Sequence, residues 1–168
     1  MILYLYTITF GLCVSYFILF FLFPYFFNGV RGARLSYKSL LSIVIICLIS
    51  FVSCYIALRI HDKEIGNRIL HIFGGGFTAF LVCFLAAKDS KVQLKKFQFF
   101  IFSFLIVIAL GVLNEVVEFL LQYYFDIISA KGAIDTWLDL NSNIVGILIA
   151  SVCFVPFISI KNDDQHVT

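Results

Sequence analysis

Hydrophobic positions gather into five long blocks, 2–27, 39–58, 69–87, 97–125 and 140–160, separated by short stretches that hold most of the charge. A helix needs about 20 mainly apolar residues to cross a hydrocarbon core of about 30 Å. All five blocks meet that length, the third with the least margin, so the pattern predicts an all-α, integral membrane helical bundle of about five spans. Pro24 with Tyr25, Phe26 and Phe27 is expected to mark an interfacial exit from the first span. No internal repeat, low-complexity tract or linker interrupts the chain, which reads as one transmembrane domain over 1–168 with a short polar tail from Lys161 to Thr168.

Composition supports the same class. The 168 residues are 62% hydrophobic and 13% charged, against about a quarter charged in a soluble domain. A net charge of +2 points to no acidic partner, and no basic patch with interleaved aromatics points to nucleic acid. Cys13, Cys47, Cys54, Cys83 and Cys153 all lie in apolar blocks without a CxxC pair, so they are expected to act as small hydrophobes and not as disulfides. The N-terminus has no basic stretch or small-residue cleavage site and is read as a retained first span.

Charges in the short connections set an expected orientation. Arg31, Arg34 and Lys38 in the first, Lys88, Lys91, Lys95 and Lys96 in the third, and Lys161 in the tail outweigh Arg59, Lys63 and Arg68 in the second and Lys131 in the fourth. The N-terminus is therefore expected outside and the C-terminus in the cytoplasm. From that cytoplasmic side, a rise of about 1.5 Å per residue puts His71 at about 25 Å, Glu115 at about 28 Å and Asn143 at about 27 Å. Arg68 comes out near 30 Å, and Glu118 and Asp139 both near 33 Å. Three blocks thus bring polar residues to one depth, near the outer edge of the core.

Those residues are the candidate site, since an ionisable group at membrane depth is costly and points to function. His71, Glu115, Glu118, Asp139 and Asn143 are the candidate catalytic residues, and Arg68, Asn114, Asp135 and Gly146 the candidate substrate-binding residues. Glu115 and Glu118 lie about 60° apart around a helix, while Asp135, Asp139 and Asn143 drift about 80° in all, so each set forms a stripe. Structural roles compete with functional ones. Thr136 as N-cap with Asp139 three residues on matches a capping box. Glu118 could reach the interface, His71 could be an ordinary interfacial histidine, and Arg68 could neutralise Glu118 or Asp139. Gly74, Gly75, Gly76, Gly111 and Gly146 suit close helix packing or close approach of a substrate. No metal is expected, and zinc least: one candidate histidine stands without a cysteine at the right depth or an HExxH motif. No cofactor is indicated.

His71 opening a span, Glu115 with Glu118 three residues on, and the run Asp139, Asn143, Gly146 within DTWLDLNSNIVG together resemble the VanZ-like family of small bacterial membrane proteins. The resemblance covers about 80 residues, from Arg68 to Gly146. The chain departs from it in having no arginine between Glu118 and Asp135, where many relatives carry one, and in a glutamate at 118, where glutamine is common. The resemblance implies a role in the cell envelope, linked in some relatives to glycopeptide-antibiotic resistance, and no settled reaction.

Three functions fit these residues. The first is binding or modification of an amphiphilic envelope molecule, a membrane lipid or lipid-linked compound, at the outer leaflet, with the carboxylates and His71 available for acid/base work. No nucleophile is evident, as Ser129 and Ser142 have no clear base partner. The second is a small proton- or cation-linked transporter, against which stand the lack of an inverted repeat and of a polar counterpart in the inner half. The third is an assembly partner whose polar cluster only holds helices together.

Overall fold

The computed structural model describes residues 2–29, 34–126 and 132–158, and all regular structure among them is helical. Five stretches are long and apolar enough to cross a membrane: Tyr6–Asn28, Tyr37–Arg59, Lys63–Asp89, Lys96–Phe125 and Ala133–Phe157. Their helices are α1 (Ile2–Asn28), α2 (Tyr37–Arg59), α3 (Lys63–Ile69), α4 (Thr78–Asp89), α5 (Lys96–Phe125) and α6 (Ala133–Phe154). Leu70–Phe77, between α3 and α4, is a π-helical segment, so that α3, this segment and α4 form one continuous span. Pro24 sits inside α1, one turn before its end, and does not terminate it. The charges Arg31, Lys131 and Lys161, Ser129 and the tail lie outside the described residues.

The third span, whose apolar block is the shortest of the five, is the centre of the bundle. It is mostly buried, whereas each of the other four buries only a minority of its residues. Its buried polar and glycine residues, such as His71, Gly74, Gly76 and Thr78, therefore face protein and not lipid. Around it the other helices show lipid their large side chains, such as Phe10, Leu48, Leu105 and Val152. Lipid tails are as apolar as leucine, so helix association here rests on close packing and interhelical hydrogen bonds. The buried stripe of α2 accordingly includes Ser39, Ser42, Ser50 and Ser53, with Ser50 bonded to Thr9 of α1 at 2.8 Å. In the middle of the bundle Phe80 meets Phe99 edge-on at 5.6 Å, and Val82, Val107, Ile147 and Ala150 fill the remaining space.

Helix ends follow local chemistry. Asp62 caps α3, accepting from the backbone N–H of Glu64 at 2.9 Å and Ile65 at 3.2 Å. The turn from α2 into α3 is so tight that a Cβ at Gly66 would stand 2.7 Å from the Ala57 carbonyl oxygen. α6 begins at Ala133 after Gly132, whose φ of +128° is open to glycine. The capping-box expectation is thereby corrected: Thr136 already donates its N–H to Gly132 at 3.3 Å and lies inside the first turn. Asp139, a turn further in, is engaged with another helix.

Candidate functional site

Three helical segments deliver the site. On α5 the buried positions are Phe99, Ser103, Val107, Gly111, Glu115 and Glu118, a stripe of spacing four and three that points one face of the helix inward along its length. On α6 the inward stripe is Asp139, Ser142, Asn143, Gly146, Ile147 and Ala150. These two stripes meet the π-helical segment, and its contact with α6 is the most extensive between any two elements.

Glycines make that contact possible. A Cβ on Gly76 would strike the backbone carbonyl of Asn143, and one on Gly146 would strike the carbonyl of Ile72 and the amide of Phe77. Asn143 itself is gripped on both sides of its amide. Its Oδ1 lies where a side chain on Gly75 would begin, and its Nδ2 would be 3.1 Å from a Cβ on Gly111. The wide turn of a π-helix frees backbone from the usual i to i−4 pairing and recurs at functional sites. Here the N–H of Thr78 reaches back to the carbonyl of Phe73, five residues earlier. Gly146, expected to bind substrate, is placed in this helix contact.

The polar side chains converge at the end of the bundle where α3 and α6 begin and α5 finishes. Arg68 forms ion pairs with both Asp135 and Asp139, and its Nη1 also donates to the Asp135 carbonyl at 3.3 Å. Asn67, which the sequence reading passed over, donates from Nδ2 to Asp139 Oδ1 at 3.0 Å. His71 Nε2 stands 3.3 Å from the same oxygen. Glu118 is buried, not interfacial, and accepts from Asn114 Nδ2 at 2.8 Å. Arg68 therefore neutralises the two aspartates, and Glu118 is held by its own helix.

Glu115 is different. It is 8% exposed, and neither carboxylate oxygen has a hydrogen-bond partner of normal geometry, although Asn114 and Thr136 lie beside it. His71 Nε2 and Asn143 Oδ1, on residues each 4% exposed, are likewise buried without a partner. One ligand-capable atom from each of His71, Glu115 and Asp139 falls within 4.8 Å of the others. A buried polar group without a partner costs roughly 1–3 kcal/mol, and an unpartnered charge costs more. Three such groups from three elements at one point are a poor way to hold helices together. They fit a place that a ligand, protons or a cation completes.

Beside the π-helical segment, Ile69, Phe73 and Phe77 join Leu48, Ile49 and Val52 of α2 in lining an open apolar groove of about 410 Å³ on the surface that faces lipid. The segment thus has His71 in the polar cluster and Phe73 in the groove.

Five apolar spans around a buried polar cluster define a multi-pass helical membrane protein. The chain belongs to the DUF2238 family, described as a predicted membrane protein, whose family model matches residues 2–159. No curated protein matches the chain, and no solved structure does. This match does not confirm the VanZ-like resemblance of the motifs.

Proposed function

We propose that the cluster of His71, Glu115, Glu118, Asp139 and Asn143 binds or modifies an amphiphilic molecule of the cell envelope, a membrane lipid or lipid-linked compound, at the outer leaflet of a bacterial plasma membrane. The observation that carries this reading is the set of unpartnered buried atoms on Glu115, His71 and Asn143, two to three turns from one end of the bundle. Such atoms are donors and acceptors held ready for a polar group that arrives from outside the chain. The open apolar groove on the same π-helical segment suits the other half of an amphiphile, an acyl or prenyl chain lying against the bundle. Arg68 and Asn114 hold the acids, and the Arg68–Asp135 pair provides charge beside the site. Resemblance to the VanZ-like family, and the positive charge of the first and third connections, support the envelope setting and the outward orientation.

Transport is the weaker reading. The layer of Phe80, Val82, Phe99, Val107, Ile147 and Ala150 that separates the cluster from the other end of the bundle is apolar and closely packed. A purely structural role is opposed by the unpartnered atoms themselves.

The test compares the full-length protein with Glu115→Gln, both extracted from membranes under identical mild detergent, by native mass spectrometry and analysis of the lipids carried along. One class of polar-headgroup lipid should accompany the wild type and be depleted several-fold in the variant, with the melting temperature unchanged. Equal lipid content in the two proteins would reject an amphiphile-binding role for Glu115.

A further inference from the structure

We infer that His71, Glu115 and Asp139 form a binding site for one divalent first-row cation, Mn²⁺ or Zn²⁺ being the chemistry that suits the donors. The three side chains come from the π-helical segment, α5 and α6, and each offers a ligand atom within 4.8 Å of the other two. Donors at about 2.0–2.2 Å from a common ion stand about 3.0–3.6 Å apart, so the three side chains would close in by about an ångström on binding. All three residues are more than nine-tenths buried, and the independent observation is that neither oxygen of Glu115 nor Nε2 of His71 makes a hydrogen bond of normal geometry, His71 Nε2 standing 3.3 Å from Asp139 Oδ1.

Charge argues the same way. Arg68 pairs with Asp135 and Asp139, while Glu115, whose charge also acts on Asp139, has no cationic contact among the described residues. A dication between Glu115 and Asp139 would offset the repulsion between these two carboxylates. The donor set selects within the cations. One imidazole with two carboxylates is harder than the thiolate-rich sites that hold structural zinc and softer than the all-oxygen cages of Ca²⁺ and Mg²⁺. The absence of any sequence motif for a metal is no objection, because the three ligands sit on separate spans. Arg68 and Asn67 also hold Asp139 through Oδ1 and so fix its carboxylate as outer-shell groups do. Asn143, packed against Gly75 and Gly111, stands beside the imidazole of His71. This inference does not depend on the nature of any amphiphile, since a cation could serve binding, catalysis or neither.

The experiment uses the untagged full-length protein in detergent, stripped with a chelator and titrated with Mn²⁺, Zn²⁺ or Mg²⁺. About one equivalent of Mn²⁺ or Zn²⁺ should be retained after desalting, with a rise in melting temperature that excess chelator reverses and that Mg²⁺ does not reproduce. Glu115→Gln and His71→Gln should each weaken retention at least tenfold. Cys153→Ser, which changes an exposed thiol remote from the cluster, should retain the metal as the wild type does. In the Mn²⁺-loaded protein, pulsed electron paramagnetic resonance should show a coupled imidazole nitrogen that His71→Gln removes, a readout that needs only the fraction of protein that is folded. No retained metal in the wild type, or full retention and an unchanged nitrogen signal in His71→Gln, would overturn the site. Metal binding in the wild type together with equal lipid content in wild type and Glu115→Gln would reject the amphiphile reading alone.

Discussion

The bundle holds carboxylates at both ends, half-buried at one and buried at the other, and the two clusters are built differently. At the end where α4 stops, Asp89 Oδ2 accepts from Tyr16 at 2.7 Å and from Ser42 at 2.6 Å, which ties α1 and α2 to the central span. Each hydroxyl has found its acceptor, and the arrangement is complete as it stands. About 27 Å away along the same span, His71 stands among four carboxylates, and the atoms of Glu115, His71 and Asn143 are left without partners. A structural polar knot satisfies itself, because an unmet donor or acceptor is more costly in a dry setting than an apolar residue of the same shape. The unsatisfied cluster is the one to which function is assigned, and the satisfied one serves as its internal control.

Four experiments can break or sharpen this contrast. The largest effect concerns which end faces out. With the native cysteines replaced, a single cysteine at Ala133 should be fully labelled by an impermeant thiol reagent on intact cells, and one at Gln93 should not react. The reverse pattern would put the unsatisfied cluster at the cytoplasmic face and remove the outer-leaflet part of the proposal.

Next comes Asp139→Ala, which strips Arg68 of one of its two carboxylates and leaves Asn67 without an acceptor. Leaving a buried charge partly unpaired should destabilise by about 3 kcal/mol, read as a lower midpoint of unfolding in mixed detergent. A smaller loss is expected for Asp89→Ala, about 2 kcal/mol, since two hydroxyls lose a charged acceptor in a half-buried setting. Asp89→Asn should recover most of that loss, because an amide oxygen can accept both bonds. Failure of the rescue would mean that Asp89 is needed for its charge and that the two ends are less different than they look.

Smallest of all is the effect of Glu115→Gln on stability. Removing a carboxylate that has no partner and sits beside three others should change the midpoint by less than about 0.5 kcal/mol, or raise it, in metal-free protein. A loss as large as that of Asp139→Ala would show that Glu115 is a strut of the fold, and the contrast between the two ends would fail.

The sequence alone determined the number and helical nature of the spans, because a block of about 20 apolar residues has no other stable way to cross a bilayer. It also placed His71, Glu115 and Asn143 at one depth, since the rise of a helix converts residue number directly into height. Height is one coordinate of three, and the others came only from packing. Which face of α5 turns inward, and hence that Glu118 is buried and not interfacial, depends on a stripe that nearly uniform apolarity hides. That Arg68 takes both Asp135 and Asp139, that Asn67 joins them, and that Thr136 lies inside α6 and not at its cap were settled by the placement of α3 against α6. The Asp89 knot escaped notice because a carboxylate at a helix end, next to Lys88 and Lys91, looks like an ordinary surface charge in one dimension. The π-helical turn at Leu70–Phe77 was equally out of reach. Three consecutive glycines permit many backbones, and contact with Asn143 and Gly146 decides among them, because only a wide turn without side chains lets α6 approach so closely.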